Sequence, residues 1–288
     1  MRLEDVKKVA VIGSGNMGRQ IALNTAKYGF VVVQYDISEE ALNKAQEWAE
    51  KYLEGRIAKG RMTEGEVEAT KSRISYESDL TKAVCDADVV IEAAVENLEL
   101  KRNIFAQLDK ICPARTILAT NSSSIGSSKL ASVTGRADRI ANMHYFNPAM
   151  VMELVEVVMN PDTSEETAEL IMELCRATGK TPILLKKEIH SFVVSRLMDG
   201  VFKEAFYLLD QGIATVEEID IAAEKGLGHP MGPFRLLDQI GIDVSYNVRA
   251  EHFKETGLEA DRPSHLLEEK VKEGKLGRKT GEGFYRYH

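Results

Sequence analysis

The chain has 288 residues, of which 44% are hydrophobic and 28% charged, and it has a formal net charge of −8. This composition is typical of a folded globular protein, and the length suits two domains. The negative net charge argues against an extended basic surface that binds nucleic acid, and the longest apolar segments are too short to cross a membrane.

The chain opens with MRLEDVKKVAVIGSG, which leads straight into a strand without a charged and then apolar signal segment. The three cysteines, Cys85, Cys112 and Cys175, are odd in number, widely spaced and form no CxxC motif. They therefore indicate neither a disulfide framework nor a metal site. We expect a cytoplasmic protein in a reducing compartment.

Short β-branched segments alternate with helical segments through the first half of the chain. Residues 9–12 are predicted to form the first strand, Asn16–Lys27 a helix ended by Gly29, and residues 30–35 the second strand. Further strands are predicted at residues 88–94, 116–120, 139–144, 153–158 and 182–185. This alternation predicts a parallel sheet that is covered by helices on both faces.

A charged helical segment at about residues 47–73 interrupts this pattern. It is too long for a simple connection between two strands and too polar to be buried. We interpret it as a helical arm that protrudes from the first domain.

Strand signals end near residue 187. The following segment, SFVVSRLMDGVFKEAFYLLDQG, has apolar residues at helical spacing. Thr215 and Glu218 form the capping-box pattern of a helix start, and Pro233 suits the first turn of another helix. We predict a first domain at residues 1–187, which includes the arm, and a helical second domain at residues 188–288.

A glycine-rich turn, GSGNMG, lies between the first strand and the first helix. Gly13 suits a tight turn, Gly15 lets a diphosphate approach the backbone, and Gly18 lets the helix pack closely on the strand. The helix N-terminus offers unpaired N–H groups and a partial positive charge to the diphosphate. The motif in this context predicts a Rossmann-type, doubly wound and mostly parallel sheet that binds a dinucleotide.

Asp36 ends the second predicted strand, where a carboxylate accepts hydrogen bonds from the hydroxyls of an adenosine ribose. A 2′-phosphate would be repelled there. No arginine or lysine follows in residues 37–40, so the pattern favours NAD over NADP. The alternative is a glycine turn beside a surface aspartate.

His144 is predicted at the carboxyl end of a strand, where open α/β sheets bind their ligands. A histidine there can exchange a proton with a hydroxyl near neutral pH. Glu156 lies in what resembles a central strand, and a carboxylate in such a place needs a partner. We predict that Glu156 orients His144 and stabilises its protonated form. A purely structural histidine and glutamate pair is the alternative.

Four further segments follow the glycine turn in order: NSSSIGSSKLA, HYFNPAMVMELVEVV, HPMGPFRLLDQIGID and KTGEGFYRY. Together they closely resemble the L-3-hydroxyacyl-CoA dehydrogenase family over nearly the whole chain, with the 3-hydroxybutyryl-CoA subgroup nearest. The resemblance implies an α/β dinucleotide-binding domain followed by an all-α domain. It also implies a homodimer that uses NAD and an acyl-CoA in fatty-acid or butyrate metabolism. From the charge, the apolar segments and the cysteine spacing we expect no nucleic-acid partner, no membrane and no metal.

The resemblance also implies roles for individual residues. His144 matches the catalytic histidine, Glu156 its partner, and Ser123 a serine that touches both the substrate and the nicotinamide. The expected cofactor contacts are Gly13, Ser14, Gly15, Asn16, Met17, Gly18, Asp36, Glu96, Lys101, Ser123, Asn147 and Lys279, and the expected CoA contacts are Arg56, Lys59 and Ser123. Helix capping is an alternative role for Ser122 and Ser124, a surface ion pair for Glu96 and Lys101, and an ordinary charged helix for Arg56 and Lys59.

The chain departs from the family pattern where the second domain begins. Ser195 stands in place of the usual asparagine, which helps to hold the substrate thioester, and His190 and Ser191 replace the usual Pro-Gly. A serine hydroxyl is shorter and has only one donor. We keep Ser195 as a candidate catalytic residue and expect that its presence changes the rate or the substrate relative to the family norm. His190 and Ser191 are expected to change how the following helix begins.

Two other functions are consistent with these residues. One is an NAD-dependent dehydrogenase of a hydroxy acid without CoA. The other is a catalytically idle family member that only binds the dinucleotide, for which the substitution at Ser195 would be a sign.

Overall fold

The computed structural model describes residues 1–287, apart from the side chain of residue 255. The chain divides into two compact units, Met1–Phe192 and Val193–His288. The expected boundary lay at residues 187 and 188, a few residues before the observed one. We describe the two units in turn.

The first unit is built on one sheet of eight strands in the order β3-β2-β1-β4-β5-β6-β7-β8. The strands are β1 (Lys8–Ile12), β2 (Val31–Tyr35), β3 (Ile74–Glu77), β4 (Val89–Glu92), β5 (Ile117–Thr120), β6 (Ile140–Tyr145), β7 (Leu154–Met159) and β8 (Thr181–Leu185). All neighbouring strands are parallel except β6 and β7, which are antiparallel. The predicted α/β class with a mostly parallel sheet is confirmed.

Helices cover both faces of this sheet. They are α1 (Asn16–Lys27), α2 (Glu39–Ala58), α3 (Glu64–Lys71), α4 (Leu80–Val84), α5 (Leu98–Ile111), α6 (Ser128–Ala131) and α7 (Glu165–Ala177). Because successive side chains of a strand point to opposite faces, Val9 and Val11 join one apolar cluster while Ala10 and Ile12 join the other. Apolar strands of this kind are buried on both faces, as a doubly wound sheet requires.

The segment expected to protrude as an arm is a helical pair that packs on the first unit. Helix α2 begins at Glu39, well before the expected start at residue 47, and α3 follows after a short turn. Ala49, Leu53 and Val67 are buried in one cluster with Leu23 of α1. The segment is therefore buried along the apolar side of each helix and largely exposed elsewhere, and its interpretation as a protruding arm stays a prediction.

The second unit is helical. Its helices are α8 (Phe192–Asp210, which starts at the last residue of the first unit), α9 (Val216–Gly226), α10 (Pro233–Ile240), α11 (Ile242–Thr256) and α12 (His265–Lys272). The predicted capping box of Thr215 and Glu218 opens α9, and Pro233 is in the first turn of α10. Within residues 1–287, no helix combines the length and the apolar character needed to span a membrane.

Candidate active site

The glycine turn between β1 and α1 is shaped by close backbone approaches. Gly13 has a φ of +98°, and a Cβ atom on it would lie 2.7 Å from the carbonyl oxygen of Ala93. A Cβ on Gly18 would lie 1.9 Å from the carbonyl oxygen of Gly13, whereas a Cβ on Gly15 would meet no atom within 4 Å. Gly13 and Gly18 are therefore needed for packing, while Gly15 leaves open space at the helix N-terminus, where a diphosphate fits.

Asp36 follows β2 and closes this turn. Its Oδ2 accepts hydrogen bonds from the backbone N–H and the hydroxyl of Ser14, both at 2.8 Å, and its Oδ1 accepts one from the N–H of Ser38 at 3.0 Å. Asp36, Ser14 and Gly15 line a cleft of about 630 Å³. The cleft lies at the carboxyl ends of β1 and β2, where a Rossmann-type sheet binds the adenosine side of a dinucleotide, and contact of Asp36 with the ribose stays a prediction.

Two residues of the predicted glycine-turn motif do not line this cleft, whereas two basic residues that were not predicted do. Met17 packs on the apolar cluster of the sheet, and Gly18 is buried against the turn. Arg19 of α1 and Lys44 of α2 line the cleft. Lys44 was not recognised from the sequence because it lies beyond residues 37–40, more than one helical turn after Glu39, and reaches the cleft only through the geometry of α2.

His144 and Glu156 face each other across the antiparallel strands β6 and β7. They are paired in the strand register, and Nδ1 of His144 lies 2.9 Å from Oε2 of Glu156. The residues are only 8% and 1% exposed. A carboxylate at Nδ1 fixes the tautomer in which that nitrogen donates, so Nε2 is the ring nitrogen that can exchange a proton with a substrate.

Strand β7, which carries Glu156, has a neighbour on each side, but it is second from the edge of the sheet and not central as expected.

Two aromatic rings pack against the imidazole of His144. The ring centroid of Phe146 lies 4.7 Å from it and that of Phe192 lies 5.6 Å from it. The imidazole is thus fixed both by its hydrogen bond to Glu156 and by aromatic packing.

The serine loop, residues 121–127, follows β5. Ser122 and Ser124 both donate hydrogen bonds from their hydroxyls to Oε1 of Glu96, the latter at 2.8 Å. Ser123 between them is exposed. Capping-type bonding is also present, since the hydroxyl of Ser122 accepts a hydrogen bond from the N–H of Ile125 at 2.8 Å.

Asn142, which the sequence prediction missed, fastens the serine loop to β6. Its Oδ1 accepts a hydrogen bond from the N–H of Ser127 at 2.8 Å, and its Nδ2 donates to the carbonyl oxygens of Ser122 and Ile125 at 3.2 and 3.0 Å. Asn142 lies two residues before His144, so both side chains point to the same face of the strand. A polar residue inside an apolar strand was the signal that could have identified it.

Lys101 is buried, so its ion pair with Glu96 is not the ordinary surface ion pair considered as an alternative. Its side chain is 1% exposed, and its Nζ lies 2.7 Å from Oε1 of Glu92 and 3.3 Å from Oε2 of Glu96. Glu92, also missed by the prediction, accepts a further hydrogen bond from the hydroxyl of Thr120 at 2.6 Å. This buried network supports Glu96 and the serine loop, and direct contact of Lys101 with a cofactor stays a prediction.

The pKa of Glu96 reflects this network. Burial by itself would raise the pKa, but the hydrogen bond from Ser122, the charge of Lys101 and the hydrogen bonds from Ser124 together hold it below its ordinary value. Glu96 is therefore ionised near neutral pH and can keep the serine loop in place.

Asn147 lies in the loop after β6, next to the glycine turn. Its Oδ1 accepts a hydrogen bond from Nδ2 of Asn16 at 3.0 Å, and the Asn147–Pro148 peptide bond is cis. Lys180 fixes the same loop, since its Nζ donates to the carbonyl oxygens of Ala149 and Met152 at 2.5 and 2.9 Å. The fold thus brings Asn16 and Asn147 together from distant parts of the sequence.

The remaining predicted residues lie away from this cluster or in the second unit. Arg56 is half-buried in the last turn of α2, and Lys59 is exposed at the end of that helix. Ser195 is an exposed residue of α8, and Nζ of Lys279 lies 2.5 and 2.6 Å from the two carboxylate oxygens of Asp243. Their roles stay predictions. In the described part of the chain, no three His, Cys, Asp or Glu side chains are grouped to hold a metal.

Comparison with known proteins identifies two family domains. Residues 8–189 match the model for the 3-hydroxyacyl-CoA dehydrogenase NAD binding domain, and residues 192–287 match the model for the 3-hydroxyacyl-CoA dehydrogenase C-terminal domain. The matches follow each other along nearly the whole chain.

Individual proteins are similar over nearly their full length. The chain is 41% identical to the probable 3-hydroxybutyryl-CoA dehydrogenase of Bacillus subtilis over 98% of both chains. It is 41% identical to the mitochondrial hydroxyacyl-coenzyme A dehydrogenase of Homo sapiens over 98% of this chain and 91% of that protein. The crystal structure of (S)-3-hydroxybutyryl-CoA dehydrogenase from Ralstonia eutropha matches with a TM-score of 0.92 and 39% identity, over 99% of this chain and all of that one.

Proposed function

Because the chain belongs to the 3-hydroxyacyl-CoA dehydrogenase family, we propose that it oxidises a short-chain (S)-3-hydroxyacyl-CoA to the 3-ketoacyl-CoA and catalyses the reverse reduction. 3-Hydroxybutyryl-CoA is the expected substrate, as it is in the names of its relatives. The observation that carries the proposal is the buried pair of His144 and Glu156, next to the serine loop on an NAD-binding unit.

The roles of the chain's own residues follow from their chemistry. Nε2 of His144 takes the proton of the substrate hydroxyl, and the carboxylate of Glu156 at Nδ1 stabilises the imidazolium that forms. The exposed hydroxyl of Ser123 accepts from the alcohol or donates to the ketone, so it positions C3 in either direction. Bound NAD supplies the acceptor for the hydride of C3.

The glycine turn and Asp36 are the residues expected to hold NAD, with Glu96, Lys101, Asn147 and Lys279 as further contacts. Arg56 and Lys59 provide positive charge for the phosphates of CoA. For Lys279, the bonds to Asp243 mean that a contact with the cofactor would compete with this ion pair. We also propose a cytoplasmic homodimer that acts in fatty-acid or butyrate metabolism.

An NADH oxidation assay tests the activity. Acetoacetyl-CoA and longer 3-ketoacyl-CoAs are supplied with NADH or NADPH, and His144→Gln serves as the control. We expect turnover with the short acyl-CoA and NADH. The His144→Gln variant should bind NADH as the wild type does but lose roughly 100-fold or more in kcat, because its proton donor is gone.

The same assay separates the two other functions. Reversing the charges of Arg56 and Lys59 to glutamate should raise KM for acetoacetyl-CoA, whereas a dehydrogenase of a free hydroxy acid would show no such change. Ser195→Asn tests the substituted position, since restored amide donors should increase activity if Ser195 weakens substrate positioning. If both the wild type and Ser195→Asn bind NADH but turn over no acyl-CoA, the chain is a catalytically idle member of the family.

A further inference from the structure

Arg19 has an environment that suits an anion-binding residue of the cofactor cleft. It lies in the first turns of α1, immediately after Gly18, and it lines the cleft together with Gly15 and Asp36. Its guanidinium carbon lies 4.8 Å from the ring centroid of Trp48 on α2. This cation–π contact fixes the plane of the guanidinium and makes a charged group stable beside an apolar surface.

The hydrogen-bonding groups of Arg19 are only partly used. Nη2 donates to Oδ1 of Asn16 at 3.1 Å, while Nε is buried and has no hydrogen-bond partner among the described residues. In that part of the chain no carboxylate lies within ion-pair distance of Arg19, in contrast to Lys44, whose Nζ is 2.5 Å from Glu40. The guanidinium is therefore not saturated with hydrogen bonds, and since no described carboxylate neutralises it, its positive charge is available to a ligand of the cleft.

The hydrogen bond between Arg19 and Asn16 indicates which anionic group of a ligand Arg19 would bind. Asn16 is the first residue of α1, so the guanidinium is held toward the helix N-terminus, where the open side of Gly15 leaves room for a ligand. The carboxylate of Asp36, by contrast, is bound by Ser14 and Ser38 at the ribose end of the cleft. An arginine that lines the cleft near a helix N-terminus and whose charge no carboxylate neutralises is suited to the oxygens of a diphosphate.

We propose that Arg19, held by Trp48 and Asn16, binds the diphosphate of NAD and supplies the local positive charge that this acidic protein needs there. The inference rests on the NAD dependence in the proposed function and is independent of the acyl substrate. It assigns Arg19 to the diphosphate and not to the 2′-phosphate of NADP.

Binding experiments that need no turnover test this assignment. NADH affinity is measured by fluorescence titration for the wild type, Arg19→Met, Arg19→Lys and the matched control Lys44→Met, which removes one charge from the same cleft. ADP-ribose and adenosine are then used as competitors, since only the first contains the diphosphate. Circular dichroism verifies that each variant is folded.

We expect Arg19→Met to raise Kd for NADH and for ADP-ribose by roughly 10-fold and to leave Kd for adenosine unchanged. Arg19→Lys should lie between the wild type and Arg19→Met, because it keeps the charge and loses the planar donors. Lys44→Met should change Kd for NADH much less. If Arg19→Met does not fold, Arg19→Lys must still raise Kd for ADP-ribose and leave Kd for adenosine unchanged.

Three results would overturn the proposal: an equal loss of affinity for adenosine and ADP-ribose, equal effects of Arg19→Met and Lys44→Met on Kd for NADH, or an unchanged Kd for NADH in Arg19→Met. A wild-type protein that fails to bind NADH would instead contradict the proposed function itself. The two failures are therefore distinguishable in one titration series.

Discussion

Ser191 occupies a backbone conformation that favours glycine. Its φ is +63°, and Phe192, which follows it and starts α8, has a φ of +50°. The left-handed region costs a residue with a Cβ about 1–2 kcal/mol, whereas glycine enters it without this penalty. Ser191, which stands where the resemblance implies a glycine, therefore holds a backbone conformation that favours glycine.

Replacing Ser191 by glycine should stabilise the protein. Relief of the left-handed conformation is partly offset by the larger entropy of glycine in the unfolded chain, which leaves a net gain of about 0.5–1 kcal/mol. Thermal unfolding followed by circular dichroism should show Tm higher by about 1–3 °C.

Ser245→Gly is the matched control for this prediction. Ser245 lies inside α11, where the same substitution should lower Tm because glycine is a poor helix former. If both variants lower Tm, the conformation of Ser191 is not strained in the way described.

The serine loop is an element held by charge as well as by backbone bonds. Glu96 has a folded-state pKa below its ordinary value, so its stabilising contribution is complete above the ordinary pKa of about 4.3 and is lost as the pH falls through the lowered value. Glu96→Gln should remove this part of the acid dependence. At neutral pH the variant should lose up to about 1 kcal/mol, because the carboxylate is partly exposed and screened by solvent.

Urea unfolding at several pH values between about 3 and 7 measures this effect. The free energy of unfolding of the wild type should fall more steeply with decreasing pH than that of Glu96→Gln. Ser124→Ala, which removes one of the hydrogen bonds to Glu96, should have an intermediate slope. Identical slopes for the wild type and Glu96→Gln would exclude Glu96 as the acid-sensitive support of the loop.

Local signals in the sequence predicted the elements well. The helix predicted at Asn16–Lys27 is found with these bounds, because glycines mark both its ends. Strand β3 was missed because it has only four residues, none of them fully buried, and its alternation of Ile74 and Tyr76 with polar residues is too short to stand out. The glycine turn and His144 were also recognisable, since their positions at strand ends follow from short patterns.

The polar network around the site could not be predicted in the same way. Asn142 bonds residues 15 to 20 positions earlier in the sequence, and Glu92 bonds Thr120 28 positions away. Such pairs depend on the register between neighbouring strands, which no short pattern specifies. Arg19 was missed for a related reason, because its partner Trp48 belongs to a different helix.

The second unit has large apolar side chains on its surface that bear on how the whole molecule assembles. Leu197 and Tyr207 of α8 and Val248 of α11 are 67%, 55% and 55% exposed, and Leu227 after α9 is 70% exposed. The same helices bury Phe202, Phe206 and Ile242 inside the unit. Helices that are apolar on both sides usually meet a second partner, and a second copy of the chain is the partner in most symmetric oligomers.

If this surface forms the proposed homodimer, charges placed on it should separate the subunits. Leu197→Glu and Val248→Glu are expected to give monomers in sedimentation-velocity experiments at concentrations where the wild type sediments as a dimer, because a buried unpaired carboxylate costs several kcal/mol. NADH binding should persist, since the glycine turn and Asp36 lie in the first unit. Val151→Glu, an exposed position of the first unit, should sediment as the wild type does. A dimer that survives both helical substitutions would mean that the subunits meet elsewhere, and a monomeric wild type would contradict the homodimer itself.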